Sequence, residues 1–138
     1  MRSLATGLLF AALCCASGLS QSVPQWQVIK VVKISGTDNI GNATLFTPSG
    51  LNQYRLTVWI LAPGVKGGTA ECETNVNWEE SLGGVFEQRI IFISPTGPGS
   101  NYWSSDVFAI SPEGGKPVTY SVICGFEHRV RLVVEELE

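Results

Sequence analysis

The chain is short of the residues that carry most acid–base and metal chemistry. Its 138 residues include one histidine, His128, and four cysteines, two of which fall in the first fifteen positions. A zinc site built from His and Cys has too few ligands here once the later thiols pair with each other, so no metal is expected. Cations are scarce as well: four lysines and four arginines follow residue 20, against twelve carboxylates. So few, scattered along the chain, argue against a nucleic-acid partner, which calls for a clustered basic footprint. Alanine occurs only four times after residue 20, beside thirty-one Val, Ile and Thr and thirteen Gly. That shortage of helix formers excludes a helical bundle and favours short strands joined by tight turns. Charged residues are 15% and hydrophobic ones 44%, which excludes a disordered tail. Gly67-Gly68, Gly83-Gly84 and Gly114-Gly115 are doublets rather than a P-loop or dinucleotide fingerprint, so no cofactor is expected.

Only one apolar run is long, and it stands at the front. Met1-Arg2 precedes Leu4 through Leu13, a positive charge followed by about ten apolar residues. That is the order of a secretory signal, and the run is short of the roughly twenty residues a membrane span needs. Ala16, Ser17, Gly18 and Ser20 supply small residues for cleavage, which divides the chain into a signal over 1–20 and one domain over 21–138. Leu13 stands just before Cys14, and Cys14 just before Cys15, so neither cysteine follows the lipobox pattern and a lipid tether is not expected. Eight basic and twelve acidic side chains remain after residue 20, a net charge of −4. No transmembrane segment is expected in the mature chain, and its place is the periplasm or the extracellular space.

From Gln25 onward the period is two. Tyr54, Leu56, Val58 and Ile60 alternate with Arg55, Thr57 and Trp59, the pattern of a half-buried strand. Val118, Tyr120, Val122 and Cys124 alternate with Thr119, Ser121 and Ile123. In the last strand, within 128–137, Val130, Leu132 and Val134 alternate with Arg129, Arg131 and Glu135. The cleanest case is 70–79, where Cys72, Thr74, Val76 and Trp78 share one face and Glu71, Glu73, Asn75, Asn77 and Glu79 the other. Further strands are predicted over Trp26–Ser35, Asn42–Phe46, Val85–Ser94 and Trp103–Ile110. The first changes phase, which places a bulge near Ile29, and Ile90-Ile91-Phe92-Ile93 reads as covered on both faces. Pro- and Gly-bearing turns such as Pro112-Glu113-Gly114-Gly115 separate the runs. About eight strands with turns every ten to fifteen residues predict an all-β domain. Two antiparallel sheets in an immunoglobulin-like or related Greek-key sandwich are expected, with a small closed barrel as the alternative.

Cys72 and Cys124 are the thiols left after signal removal, both on the apolar phase of their strands, and a disulfide is predicted between them. Their spacing departs from the immunoglobulin pattern. Cys124 lies on the penultimate strand, but Cys72 is three strands earlier rather than five, and Trp59 precedes it.

Among residues able to do chemistry, His128 sits between Glu127 and Arg129 and is expected at a solvated turn joining the last two strands. No Gly-x-Ser-x-Gly elbow accompanies it, and nothing aims Asp106 at it, so no catalytic residues are assigned. The acidic face of 70–79 offers hard oxygen ligands for calcium, yet alternate residues on a strand stand nearly 7 Å apart, too far for one ion; a solvated outer face is expected. The candidate binding residues are aromatic: Trp59 on the polar phase of its strand, and Tyr102-Trp103 after a Pro/Gly-rich loop over 95–100. Against this, Trp59 would be a second-layer core residue if a loop covers it, and Trp103 would fold inward to cap the sandwich. Asn42-Ala43-Thr44 matches a glycosylation acceptor.

The function expected from these residues is a secreted, non-enzymatic binding or adhesion module for a protein or carbohydrate partner. The alternatives are a small exported hydrolase or inhibitor with a loop-built site, and an envelope or matrix assembly subunit. In the last case strand 128–137 would be the pairing edge, although Glu135, Glu136 and Glu138 suit a protected edge. Mass spectrometry of protein from the exported fraction is expected to find an N-terminus created between about residues 16 and 21. An intact Met1 in that fraction would refute the signal.

Overall fold

A computed structural model of the protein describes residues 23–63, 70–94 and 101–138. The expected signal over 1–20, with Cys14 and Cys15, and the loop over 95–100 lie outside the described residues. Eight strands form: β1 (Trp26–Gly36), β2 (Ile40–Phe46), β3 (Tyr54–Pro63), β4 (Ala70–Glu79), β5 (Val85–Ser94), β6 (Asn101–Ile110), β7 (Val118–Cys124) and β8 (His128–Leu137). They make two four-stranded sheets, β1-β8-β3-β6 and β2-β7-β4-β5, with every pairing antiparallel. Among the described residues there is no helix, and hence none long and apolar enough to cross a membrane.

The pairing follows one rule. β1 pairs with β8, β2 with β7, β3 with β6 and β4 with β5, so the chain is a single long hairpin folded over on itself. Its tip is the turn Glu80–Gly84, where the Gly83 N–H donates to Glu80 O at 2.8 Å and Gly83 takes a φ of 84° that favours glycine. Rolling that hairpin also brings β8 against β3 and β7 against β4. The result is the jelly-roll form of the Greek-key sandwich, with two separate sheets rather than a closed barrel.

Alternation then decides what the sheets enclose. Leu56, Val58 and Ile60 of β3, Val76 of β4, Val118 and Val122 of β7, and Leu132 and Val134 of β8 are all fully buried. Each such side chain contributes about 1.5–3 kcal/mol relative to an exposed one. Trp78 joins the sheets, its ring stacked on Phe86 of β5 at 5.8 Å and on Phe108 of β6 at 6.3 Å. Tyr54 is buried against Phe46, with ring centroids 4.8 Å apart, and its hydroxyl donates to Glu136 Oε1 at 3.1 Å. Burial, and then that carboxylate, raise the phenol's pKa above its ordinary value.

Cys72 and Cys124 stand at disulfide distance, directly opposite one another on β4 and β7 with Cα atoms 4.2 Å apart. That is the close spacing of a non-hydrogen-bonded antiparallel pair. Consistently, the Cys124 N–H points away from β4 and donates to Asn39 Oδ1 at 2.8 Å. The pair lies inside one sheet, whereas an immunoglobulin bridge ties two sheets together. The spacing that departed from the immunoglobulin pattern has its reason here.

Several expectations are corrected. Ile91 and Ile93 are exposed while Ile90 and Phe92 are buried, so β5 is covered on one face, because a two-layer sandwich covers the inward face of each sheet and these two residues lie on the outward phase. β8 is an inner strand between β1 and β3, so 128–137 offers no free edge to another chain. The bulge near Ile29 is present as a register shift between Val28 and Lys30.

Two carboxylates tie outer faces together. Glu135 accepts from Arg55 Nε at 2.7 Å and Nη2 at 2.8 Å, and Glu73 accepts from Arg89 and from Asn75 Nδ2. These donors hold both carboxyls below their usual 4.5. A group depressed by folding stabilises above its unfolded pKa and loses that contribution as pH falls through the folded value. Melting between about pH 6 and pH 3 is therefore expected to show an acid limb below the usual carboxylate range, flatter in Glu135→Gln/Glu73→Gln. An unchanged limb would overturn the assignment. For the bridge, thiol titration of the denatured, unreduced mature chain is expected to find no free thiol, and Cys72→Ala/Cys124→Ala to lose about 4 kcal/mol for a closed loop of this length. Two titratable thiols would sink it.

Candidate functional site

The outward residues of the β1-β8-β3-β6 sheet form ordered rows across four strands. Lys33 of β1 lies opposite Arg131 of β8, Arg131 opposite Trp59 of β3, and Trp59 opposite Ser105 of β6. In the next row Ser35 faces Arg129, Arg129 faces Leu61, and Leu61 faces Trp103. Both rows lie on the outer phase of the alternation, opposite to Val58, Ile60, Val130 and Leu132, which fill the core. Trp59 and Trp103 are diagonal neighbours, about 7–8 Å apart on paired strands.

These two rows line an open depression of about 1060 Å³. Its size is at the upper end of small-molecule sites, and it is shallow enough to seat part of a longer chain. Trp103 is 73% exposed and Trp59 43% exposed, so neither is a core residue. Trp103 does not fold inward to cap the sandwich, because position 103 lies on the outer phase of β6, opposite Leu61. The Arg131 guanidinium lies over the Trp59 ring, 4.9 Å from its centroid. Such a contact contributes about 0.5–1 kcal/mol at an exposed site and fixes the ring's orientation.

Electrostatically the two ends of this face differ. At the far end Arg55 covers the Trp26 ring at 4.8 Å and is paired with Glu135. That carboxylate raises the arginine's pKa through its hydrogen bonds. Around the depression, Lys33, Arg129 and Arg131 are exposed and make no ion pair among the described residues. Glu127 is the acidic residue at its margin. A chain of net charge −3 thus gathers cations at one place, beside its two exposed indoles.

The remaining candidates fall elsewhere. Tyr102 belongs to β6, its backbone opposite Ala62, and its side chain lies outside the described residues. His128, expected at a solvated turn, is buried at 1% exposure because it occupies the inward phase of β8 with Val130 and Leu132. Its Nδ1–H donates to Phe126 O at 2.8 Å, and its Nε2 has no partner among the described residues. Asp106 accepts from Gln88 Nε2 at 3.4 Å. The acidic face of β4 is engaged internally: Arg89 reaches Glu71 at 3.7 Å and also Glu73, and Lys116 reaches Glu79 at 3.4 Å. Asn75, expected to be solvated with these acids, is 8% exposed because Glu73 and Ser121 cover it. Asn42 is exposed on the edge strand β2.

Lys33, Arg129 and Arg131 were not among the candidates read from sequence. Alternation assigns Arg129 and Arg131 to an outer phase, but their approach to Trp59 depends on the pairing of β3 with β8, which no local signal announces.

No family model and no curated protein matches the chain. Among solved structures, it is similar to the enzymatically active domain of Bacteriophage CBA120 tailspike protein 4, at 13% identity and a TM-score of 0.37. That match covers 82% of this chain, which spans 19% of the length of the tailspike chain.

Proposed function

We propose that the protein is an exported, non-catalytic recognition module that binds a carbohydrate on the outer face of the β1-β8-β3-β6 sheet. The observation that carries this reading is the pair of exposed indoles, Trp59 and Trp103, on adjacent paired strands beside Arg131. A sugar ring has apolar C–H faces and polar edges. It is met by a flat aromatic face with hydrogen-bond donors alongside, and Arg129, Arg131 and Ser105 are such donors. The rings stand on hydrogen-bonded strands, so little ordering entropy is lost on binding.

Export is supported by the charge-then-apolar order of residues 1–13 and by the cysteine pair at disulfide distance. A binding rather than catalytic role is supported by His128, whose imidazole is enclosed in the core and committed to the Phe126 carbonyl.

Trp103→Ala is expected to change stability by less than about 0.5 kcal/mol, since the ring is mostly solvated. The same variant should weaken retention on a polysaccharide affinity gel by about 2 kcal/mol, the scale of an interface hot spot. Trp59→Ala should weaken retention similarly and lose about 1 kcal/mol of stability with its arginine contact. Full retention by both variants, or a melting temperature that falls steeply for Trp103→Ala, would refute the site.

A further inference from the structure

The same unit, a guanidinium lying over an indole, occurs twice on the outer face of the β1-β8-β3-β6 sheet. At one end Arg55 covers Trp26, and the edge of its guanidinium donates two hydrogen bonds to the Glu135 carboxylate. At the other end Arg131 covers Trp59 at nearly the same distance, 4.9 Å against 4.8 Å, but the residues opposite are Lys33 and Ser105 rather than an acid. Ring stacking occupies the plane of a guanidinium and leaves its N–H edge to bond outward. Glu135 on Arg55 is thus the protein's own template for what Arg131 is built to hold.

A second observation points the same way. Lys33 and Arg131 lie directly opposite one another on paired strands, with Arg129 two residues further along β8. Like charges at directly opposed positions destabilise a sheet. Arg55, Arg89 and Lys116 each have a carboxylate partner in this acidic chain, so acids are at hand to neutralise cations. The cations beside Trp59 and Trp103 have none among the described residues. An anion seated across Lys33, Arg129 and Arg131 would relieve the repulsion and complete the second guanidinium–carboxylate pair.

We infer that the ligand of this face is a uronate-bearing polysaccharide, its carboxylate held by Arg131 with Lys33 and Arg129 and its sugar rings stacked on Trp59 and Trp103. The inference rests on the carbohydrate reading above and specifies its chemical class. A carboxylate matches the planar fork of arginine in two parallel hydrogen bonds. An open depression that spans two diagonal indoles suits successive units of a chain.

The test is affinity electrophoresis of the full mature chain in gels holding polygalacturonate, alginate, fully methyl-esterified polygalacturonate, dextran or poly-L-glutamate, at low and high salt. Retention is expected on polygalacturonate or alginate, at least tenfold weaker on the methyl ester, and weakened by salt as charge pairing requires. Arg131→Gln and Arg129→Gln should each reduce uronate retention at least tenfold, Arg129→Gln with melting temperature unchanged and Arg131→Gln with only the small shift left when its ring contact and its like-charge pair with Lys33 are both removed. Lys116→Gln, on the other sheet, should leave retention as it was. Lys33→Gln has a signature that a merely structural lysine lacks: weaker retention together with a slightly higher melting temperature, because the like-charge pair is gone. Equal retention on the methyl ester or dextran, independent of salt, would overturn the uronate assignment and leave the carbohydrate reading standing. Equal retention on poly-L-glutamate, unaffected by Trp103→Ala, would overturn both in favour of charge alone. No retention on any of the polysaccharides would overturn the carbohydrate reading itself.

Discussion

The last strand, β8, lies between β1 and β3, and most of the molecule depends on that placement. Its inward residues Val130, Leu132 and Val134 fill the core against β3, while Arg129 and Arg131 on its other face stand next to Trp59 and Leu61. A strand inserted between two others has both rows of backbone N–H and C=O groups satisfied. The register of eight successive pairs, from Tyr54↔Glu136 to Leu61↔Arg129, is therefore strongly constrained. A slip of one residue would drive Arg129 and Arg131 into the core and expose Val130 and Leu132. Packing of the interior and construction of the outer face are one event.

The jelly-roll connectivity makes that event costly to reach. Every paired strand except the β4–β5 hairpin is joined to its partner across a large sequence separation, and β1 meets β8 only when the whole chain has folded. Non-local pairing of this kind folds slowly, because loop closure precedes the contacts that compensate for it. The cysteine pair on β4 and β7 is separated by 52 residues and stands at disulfide distance between strands from the two halves of the chain within one sheet. A bridge there would oppose opening of the β2-β7-β4-β5 sheet, while the other sheet, which carries the proposed binding face, relies on its ladder and on the Arg55–Glu135 pair.

The two sheets also divide their charges differently. On β4 the acids Glu71, Glu73 and Glu79 each have Arg89 or Lys116 within ion-pair distance, so each of these carboxylates has a cation partner. On the opposite sheet, one end is balanced by Arg55 and Glu135 and the other carries Lys33, Arg129 and Arg131 beside exposed tryptophan. Paired charges are satisfied within the molecule, whereas cations without a partner among the described residues, beside exposed indoles, have hydrogen bonds to offer a ligand.

The alternation of apolar and polar residues was enough to locate all eight strands to within about two residues and to sort core from surface along most of them. It also placed the bulge near Ile29 and put Cys72 and Cys124 on the same buried phase. Side chains on a strand point to opposite faces at a period of two, and that information is local. Read more strictly, the same period would have put His128 inside with Val130 and Leu132, since position 128 shares their phase. Which strands pair is not local. The order β1-β8-β3-β6, the position of Arg131 over Trp59 and the stacking of Trp78 of one sheet on Phe108 of the other all follow from it. Residue pattern alone decided what each strand would turn inward; only the tertiary structure decided which outward side chains would become neighbours, because backbone hydrogen bonding between strands is blind to side-chain identity and its register is set by how the whole core packs.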